Sequence, residues 1–199
     1  MKDYTSLKDR IKPYLKIYSK DADKLTYLYF YLAEADYYLN NFPEAIDEYE
    51  KSILNSNDDK MQALSKLGMG WAYLKLKRYA EAQSVLSQIK VDKLEKKSQD
   101  VLWLARAILY FETNKFEEAK NIYNELLNKT SDPLILIQAY LGKADALYNT
   151  NLYKEAISVY KEALEKVAVE FIPQETIGKL HYGLAWAHLK EGEFKQAID

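Results

Sequence analysis

Apolar and polar residues follow each other along the chain with the spacing of amphipathic helices. Between Lys24 and Leu54 the apolar residues recur every three or four positions, and the polar pair Asn40-Asn41 interrupts them. This pattern predicts one helix from about Lys24 to Leu39 and a second from about Phe42 to Leu54, joined by a tight corner. Similar polar or glycine breaks follow at Lys77-Arg78, Asn114-Lys115, Asn149-Thr150-Asn151 and Gly192. The chain is therefore predicted to be all-helical and built from antiparallel helix pairs.

A short motif recurs at each predicted corner, and it reads aromatic, any residue, Glu or Gln, Ala. Its alanines are Ala45, Ala82, Ala119, Ala156 and Ala197, of which the first four are 37 residues apart and the last two 41. Twelve residues before each alanine there is a small residue, where two helices are expected to approach closely: Ala33, Gly70, Ala107, Ala144 and Ala185. A fixed period of this length indicates a repeat array rather than a single globular core.

The repeated motif resembles the tetratricopeptide repeat family, whose unit is a helix pair of about 34 residues. The resemblance covers about residues 24–199. It implies an all-α fold, a right-handed α-α superhelix (solenoid), with a concave groove lined by the first helix of each unit. Two departures are the period of 37, which we attribute to longer connectors between units, and the charged Arg106 and Lys143 at a place where the family has a large apolar residue.

The repeat divides the chain into five predicted units, at approximately 24–60, 61–97, 98–133, 134–172 and 173–199. Residues 1–23 do not fit the repeat and are predicted to form a capping helix or the remnant of a preceding helix, which Pro13 is expected to bend or interrupt. The sequence ends two residues after Ala197, so we expect a fragment of a longer protein, cut inside the fifth unit. That unfinished unit is also a candidate surface for self-association.

Composition and charge argue against several classes of function. The net charge is −2 and no block of like charges occurs, so a nucleic-acid partner is not expected. The chain has no cysteine, which excludes disulfides and thiolate chemistry. Its apolar stretches fall well short of the roughly 20 residues that a membrane span needs. No secretory leader is recognised, and the compartment stays open, with the cytoplasm favoured over the periplasm.

No arrangement of residues in the sequence predicts catalysis, a metal site or a cofactor. His181 and His188, the two histidines, are seven residues apart, which on a helix is a rise of about 10.5 Å and too far for one metal ion. Both occupy repeat positions that aromatic residues hold in other units, so packing roles are predicted for them. The protein is accordingly predicted not to be an enzyme.

The candidate binding surface is the stripe of first-helix residues that lie 15, 11 and 8 positions before each alanine. Thirteen of these fifteen places are apolar or aromatic, and Glu34 and Asp145 fill the other two. The predicted groove residues are Phe30, Glu34, Tyr37, Leu67, Trp71, Phe111, Asp145, Tyr148, Tyr182 and Trp186. The clamp that the family uses for a C-terminal carboxylate needs Lys and Asn at these places, and neither is present. The resemblance therefore implies a scaffold that binds an apolar or aromatic peptide or helix of a protein partner, anchored by Trp71 and Trp186.

Other interpretations of the same residues remain open. The Leu and Ile members of the stripe are predicted to pack between neighbouring first helices, and Gly68, Gly142 and Gly183 to permit close helix contact. The protein could also be a structural spacer or a self-association module within a larger protein or assembly, or part of a larger protein that carries an enzyme elsewhere.

Overall fold

A computed structural model describes residues 3–166 and 172–198, and helices joined by short corners make up this part of the chain. The helices are α1 (Tyr4–Ile17), α2 (Ala22–Tyr38), α3 (Phe42–Asn55), α4 (Asp59–Lys75), α5 (Tyr79–Ser87), α6 (Lys96–Glu112), α7 (Phe116–Lys129), α8 (Pro133–Asn149), α9 (Tyr153–Lys166) and α10 (Gln174–Glu191), with one 3-10 turn at Val91–Lys93. Helix α1 continues through Pro13, so of the two predicted effects of this proline, a bend or an interruption, the interruption does not occur.

The chain divides into two compact units, residues 1–99 and 100–199. In the first unit α1 packs on α2, α2 on α3, α3 on α4 and α4 on α5, and the first helices α2 and α4 also touch. In the second unit the same order runs from α7 through α8 and α9 to α10, and α8 touches α10. Within each unit, consecutive helix pairs thus bring their first helices side by side.

The corner of each helix pair is made by one residue in the left-handed backbone conformation. These residues all stand five positions before the motif alanine: Asn40 (φ 62°), Lys77 (φ 57°), Asn114 (φ 60°), Asn151 (φ 61°) and Gly192 (φ 80°). Asparagine and glycine tolerate this conformation better than other residues. The asparagine and glycine residues at the corners therefore suit the left-handed backbone conformation that the tight turn requires.

Small residues form the crossing between the two helices of each pair. Ala45, Ala82, Ala119 and Ala156 are fully buried, as are Ala33, Ala107 and Ala144 twelve residues upstream. Gly70 takes the upstream place in the second pair, where an added Cβ would lie 2.4 Å from Leu86. Alanine and glycine at these places let the helix axes approach without leaving voids.

Three glycines of first helices lie against tyrosine rings of the preceding second helix. A Cβ added to Gly68, Gly142 or Gly183 would lie 2.2, 2.2 or 2.5 Å from the ring of Tyr49, Tyr123 or Tyr160, respectively. The tyrosines are themselves buried. The prediction that these glycines permit close helix contact is confirmed, and the contact is with a specific ring.

The fifth motif differs from the other four. Residues Phe194 to Ile198 form turns and not a second helix. The amides of Ala197 and Ile198 donate to the carbonyls of Glu193 and Lys195, each at 3.2 Å. The predicted boundary at residue 172 adjoins residues 167–171, which lie outside the described residues. In the described part of the chain, no helix has the length and apolar character of a membrane span.

Candidate partner-binding site

A cavity of about 650 Å³ opens in the second unit between the two first helices α8 and α10. Its floor is provided by α9, which contributes Tyr160. The lining residues are Leu141, Asp145, Tyr148, Tyr160, Glu175, Gly178, Lys179, Tyr182, Gly183 and Trp186. The volume lies within the range of small-molecule and side-chain pockets.

Two glycines of α10 shape this cavity in different ways. Gly183 allows α10 to lie against the Tyr160 ring, because any larger residue would overlap that ring. Gly178 meets no atom within 4 Å of the place where its Cβ would be, so it leaves open space at the mouth. The first glycine sets the depth of the cavity and the second keeps it accessible.

The aromatic wall of the cavity faces solvent. Tyr182 is 68% exposed and Trp186 is 43% exposed. Their ring centroids are 6.0 Å apart and the planes are inclined by 68°. The two rings pack edge to face, an arrangement that stabilises aromatic pairs.

A carboxylate lies at the cavity floor. The hydroxyl of Tyr160 donates a hydrogen bond to Oδ1 of Asp145. Burial raises the pKa of Asp145, and the hydrogen bond from Tyr160 opposes that rise. Burial and the neighbouring carboxylate also raise the pKa of Tyr160, so its hydroxyl remains a donor over the ordinary pH range.

The first unit carries the same set of residues at the same repeat positions. Tyr49 donates to Glu34, and burial raises the pKa of this carboxyl group as it does that of Asp145. Trp71 occupies the place of Trp186, and its Nε1 is buried without a hydrogen-bond partner. Leu67 occupies the place of Tyr182 but is only 6% exposed. The first unit therefore keeps the acid, the tyrosine and the tryptophan and lacks the exposed second ring.

The residues eight positions before the alanine have a packing role that the sequence analysis missed. Tyr37, Phe111 and Tyr148 each meet the aromatic residue that opens the next helix, at centroid distances of 5.5, 5.4 and 5.3 Å. These edge-to-face pairs stabilise the corner between the two helices of the pair. Phe30 similarly packs against Tyr49 at 6.1 Å. Of these four predicted groove residues, Tyr148 also lines the cavity.

The two histidines have different environments. His188 is buried, and its Nδ1 lies 2.6 Å from Oε2 of Glu193, so it packs at the end of α10. His181 is exposed, which does not fit the packing role predicted for it. No group of three or more potential metal ligands occurs among residues 3–166 and 172–198.

The structure thus brings Asp145, Tyr148, Tyr182 and Trp186 together in one cavity and places the other predicted residues elsewhere. The cavity also contains residues that were not predicted from the sequence, namely Tyr160, Glu175, Gly178 and Lys179. A signal for Tyr160 was present, because a tyrosine four residues after a motif alanine is followed by a glycine in the next first helix in three units. Glu175, Gly178 and Lys179 lie outside the repeated stripe and carry no such signal.

Comparison with known proteins agrees with this architecture. A sequence profile described as tetratricopeptide repeat matches residues 31–90 and 104–170, which is more than half of the chain. No curated protein matches the sequence significantly.

Several solved structures share the fold at low sequence identity. YrrB, described as a TPR protein with an unusual peptide-binding site, is 15% identical with a TM-score of 0.63 over 94% of this chain and 87% of that one. A tetratricopeptide repeat protein of Parabacteroides merdae is 17% identical with a TM-score of 0.67 over 98% and 68%. A Rap protein in complex with Competence and Sporulation Factor is 19% identical with a TM-score of 0.69 over 92% and 55%. The fold class predicted from the sequence is confirmed.

Proposed function

The chain belongs to the tetratricopeptide repeat family, and we propose on this basis that it is a non-catalytic scaffold that binds an apolar or aromatic segment of a protein partner between α8 and α10. The observation that carries the proposal is the open cavity of about 650 Å³ with the exposed rings of Tyr182 and Trp186 on its wall. The proposed occupant is a peptide or helix that inserts at least one side chain between these rings.

The energetics favour such binding. Tyrosine and tryptophan in a desolvated pocket commonly contribute about 2 kcal/mol or more each to a protein interface. The two rings are already oriented by their mutual contact, and the helices that carry them are packed on neighbours within the unit. Little conformational entropy is therefore lost when a partner segment binds.

The descriptions of two structural neighbours mention a bound partner or a binding site. YrrB is described by its peptide-binding site, and the Rap protein was solved with a factor bound to it. Their identities of 15% and 19% carry over the fold alone, so the location of the site in this chain is argued from its own cavity.

A displayed library of random 12-residue peptides, selected on the full chain, tests the proposal. We expect selected peptides to carry apolar or aromatic residues and to lose at least about tenfold in affinity with Trp186→Ala, as measured by fluorescence anisotropy. Trp103→Ala is the matched control, because Trp103 lies outside the cavity with the guanidinium of Arg106 5.0 Å from its ring centre. Peptides that bind Trp186→Ala as tightly as the unmodified chain would contradict the proposal.

Self-association is a second candidate function, and a separate observation favours it. Leu189, Phe194 and Ile198, near the end of the described chain, are 39%, 65% and 85% exposed. Apolar side chains exposed together are typical of surfaces that a further part of the same protein or a second copy covers. Sedimentation velocity over a range of concentrations tests this candidate. A dimer that Phe194→Ser dissociates would support it, and a monomer at all concentrations would exclude it.

A further inference from the structure

The carboxylate at the cavity floor lacks a cationic partner. Asp145 receives a hydrogen bond from Tyr160, and no lysine or arginine in the described part of the chain forms an ion pair with it. Burial acts against its charged form. A cation within hydrogen-bond distance of this group would favour its charged form and offset the cost of burying it.

The walls around Asp145 are suited to a cation. Four aromatic side chains line the cavity, Tyr148, Tyr160, Tyr182 and Trp186, and the face of an aromatic ring attracts positive charge. The single lysine of the lining, Lys179, is held at the rim by an ion pair with Glu175 at 2.6 Å. The lining therefore has two acidic residues and one basic residue among aromatic faces.

We propose that the cavity receives the cationic end of a lysine or arginine side chain of the bound segment, seated against Asp145 and between the rings of Tyr182 and Trp186. This inference rests on the proposed function, because it names the side chain that the partner inserts. The apolar flanks of the partner segment then contact the remaining surface of α8 and α10.

The first unit supplies an internal comparison. Glu34, Tyr49 and Trp71 repeat the floor and one wall, but buried Leu67 replaces exposed Tyr182. A cation there would not meet a ring at the place of Tyr182, because Leu67 stands there. We therefore assign the cationic side chain to the site around Asp145 and use Trp71 as a reference.

The test is a titration of the ¹⁵N-labelled full chain with N-acetylarginine amide, followed by the indole N–H signals of Trp71, Trp103 and Trp186. We expect the Trp186 signal to shift and saturate while that of Trp103 stays in place. N-acetylcitrulline amide has nearly the same shape without the charge, and we expect it to bind about tenfold more weakly. Equal binding of the two probes, or no shift at Trp186, would overturn the inference.

Two variants separate the charge from the shape of the cavity. Asp145→Asn should remove the preference for the arginine probe, whereas Glu155→Gln, an exposed carboxylate of α9, should leave it unchanged. A preference that survives in Asp145→Asn would overturn the assignment to this carboxylate. If Asp145→Asn does not fold, the ratio of the two probes on the unmodified chain decides.

The outcomes for this inference and for the proposed function are distinguishable. Selected peptides that need Trp186 but contain no lysine or arginine would overturn the cation inference and leave peptide binding intact. Conversely, a selective shift by the arginine probe without any selected peptide would support the cationic site and contradict the peptide-binding function.

Discussion

At the scale of single residues, the first unit contains a buried pair of carboxyl groups that the repeat pattern does not require. Asp36 is fully buried and accepts hydrogen bonds from Lys8 of α1 and, at 2.9 Å, from Asn41. Oε2 of Glu48 and Oδ2 of Asp36 are both buried without another hydrogen-bond partner, and a proton on Glu48 allows the two acids to pair. The corresponding places in the next three units hold apolar or aromatic residues: Tyr73 and Val85, Tyr110 and Ile122, Leu147 and Val159. The acid pair is therefore a local feature that receives Lys8 and connects α1 to the array.

The two acids have opposite ionisation behaviour. Burial and the adjacent Asp36 raise the pKa of Glu48 to about 8, against the weaker opposing effect of Lys8 and Lys51. Burial also acts to raise the pKa of Asp36, but the hydrogen bonds from Lys8, Asn41 and Glu48 outweigh it and the pKa is lowered. Glu48 thus holds a proton over a range where Asp36 is charged.

This arrangement predicts a stability that falls with rising pH. The native chain keeps the Glu48 proton that the unfolded chain releases above its ordinary pKa of 4.5. The stabilisation is therefore complete below pH 4.5 and is lost as the pH rises through about 8. We expect Glu48→Gln to remove this part of the pH dependence, because its amide donates to Asp36 at every pH. The measurement is the free energy of unfolding in urea at about pH 5.5 and about pH 8.5.

Glu50→Gln is the matched control for this experiment, since Glu50 lies two residues away on α3 and is exposed. It should keep the pH dependence of the unmodified chain. If the free energy of unfolding of Glu48→Gln changes with pH as much as that of the unmodified chain, the proton on Glu48 is not the cause of the pH dependence.

At the scale of helices, the corner residue limits the stability of each hairpin. Lys77 has the left-handed conformation at φ 57°, whereas the equivalent residues of the other units are asparagine or glycine. The left-handed conformation costs a residue with a Cβ roughly 1–2 kcal/mol, and it costs asparagine less. We expect Lys77→Asn to raise the free energy of unfolding by up to about 1 kcal/mol and Asn114→Lys to lower it similarly. Equilibrium denaturation of both variants measures this, and effects of the same sign would contradict it.

The glycines of first helices give a second prediction at this scale. Gly142→Ala would place its Cβ 2.2 Å from the Tyr123 ring, so the ring or the helix must move. We expect a loss of about 1–3 kcal/mol in the free energy of unfolding. Gly178→Ala, on α10 with nothing within 4 Å, should instead gain up to about 1 kcal/mol from helix propensity. Thermal or urea denaturation that finds Gly142→Ala as stable as the unmodified chain would exclude the close packing described above.

Much of the helical architecture could be predicted from the sequence because its causes are local. Periodic apolar residues and polar corners place α2 and α3 within two residues of their observed ends. Pro13 shows a limit of prediction from sequence. Proline disfavours a helix interior, but the sequence does not tell whether the rest of α1 offsets that cost. Residues 194–198 show another, because their motif matches the other four and yet they form turns.

At the scale of the whole molecule, the candidate site was predictable where it follows the repeat. Asp145, Tyr148, Tyr182 and Trp186 share the stripe of first-helix positions and line the cavity. Glu175 and Lys179 lie outside that stripe, and their place at the rim depends on how α10 packs beside α8. The packing of Phe111 against Phe116 could not be predicted either, because the repeat pattern places an aromatic residue without telling which neighbour it contacts.

The proposed function and the cation inference both require that a partner segment binds between α8 and α10. Hydrogen exchange of the full chain, with and without a peptide selected from the displayed library, tests this most directly. We predict slower amide exchange in residues 141–148 and 175–186, with residues 101–111 unchanged. A peptide that binds while these two stretches exchange as fast as in the free chain would contradict the account.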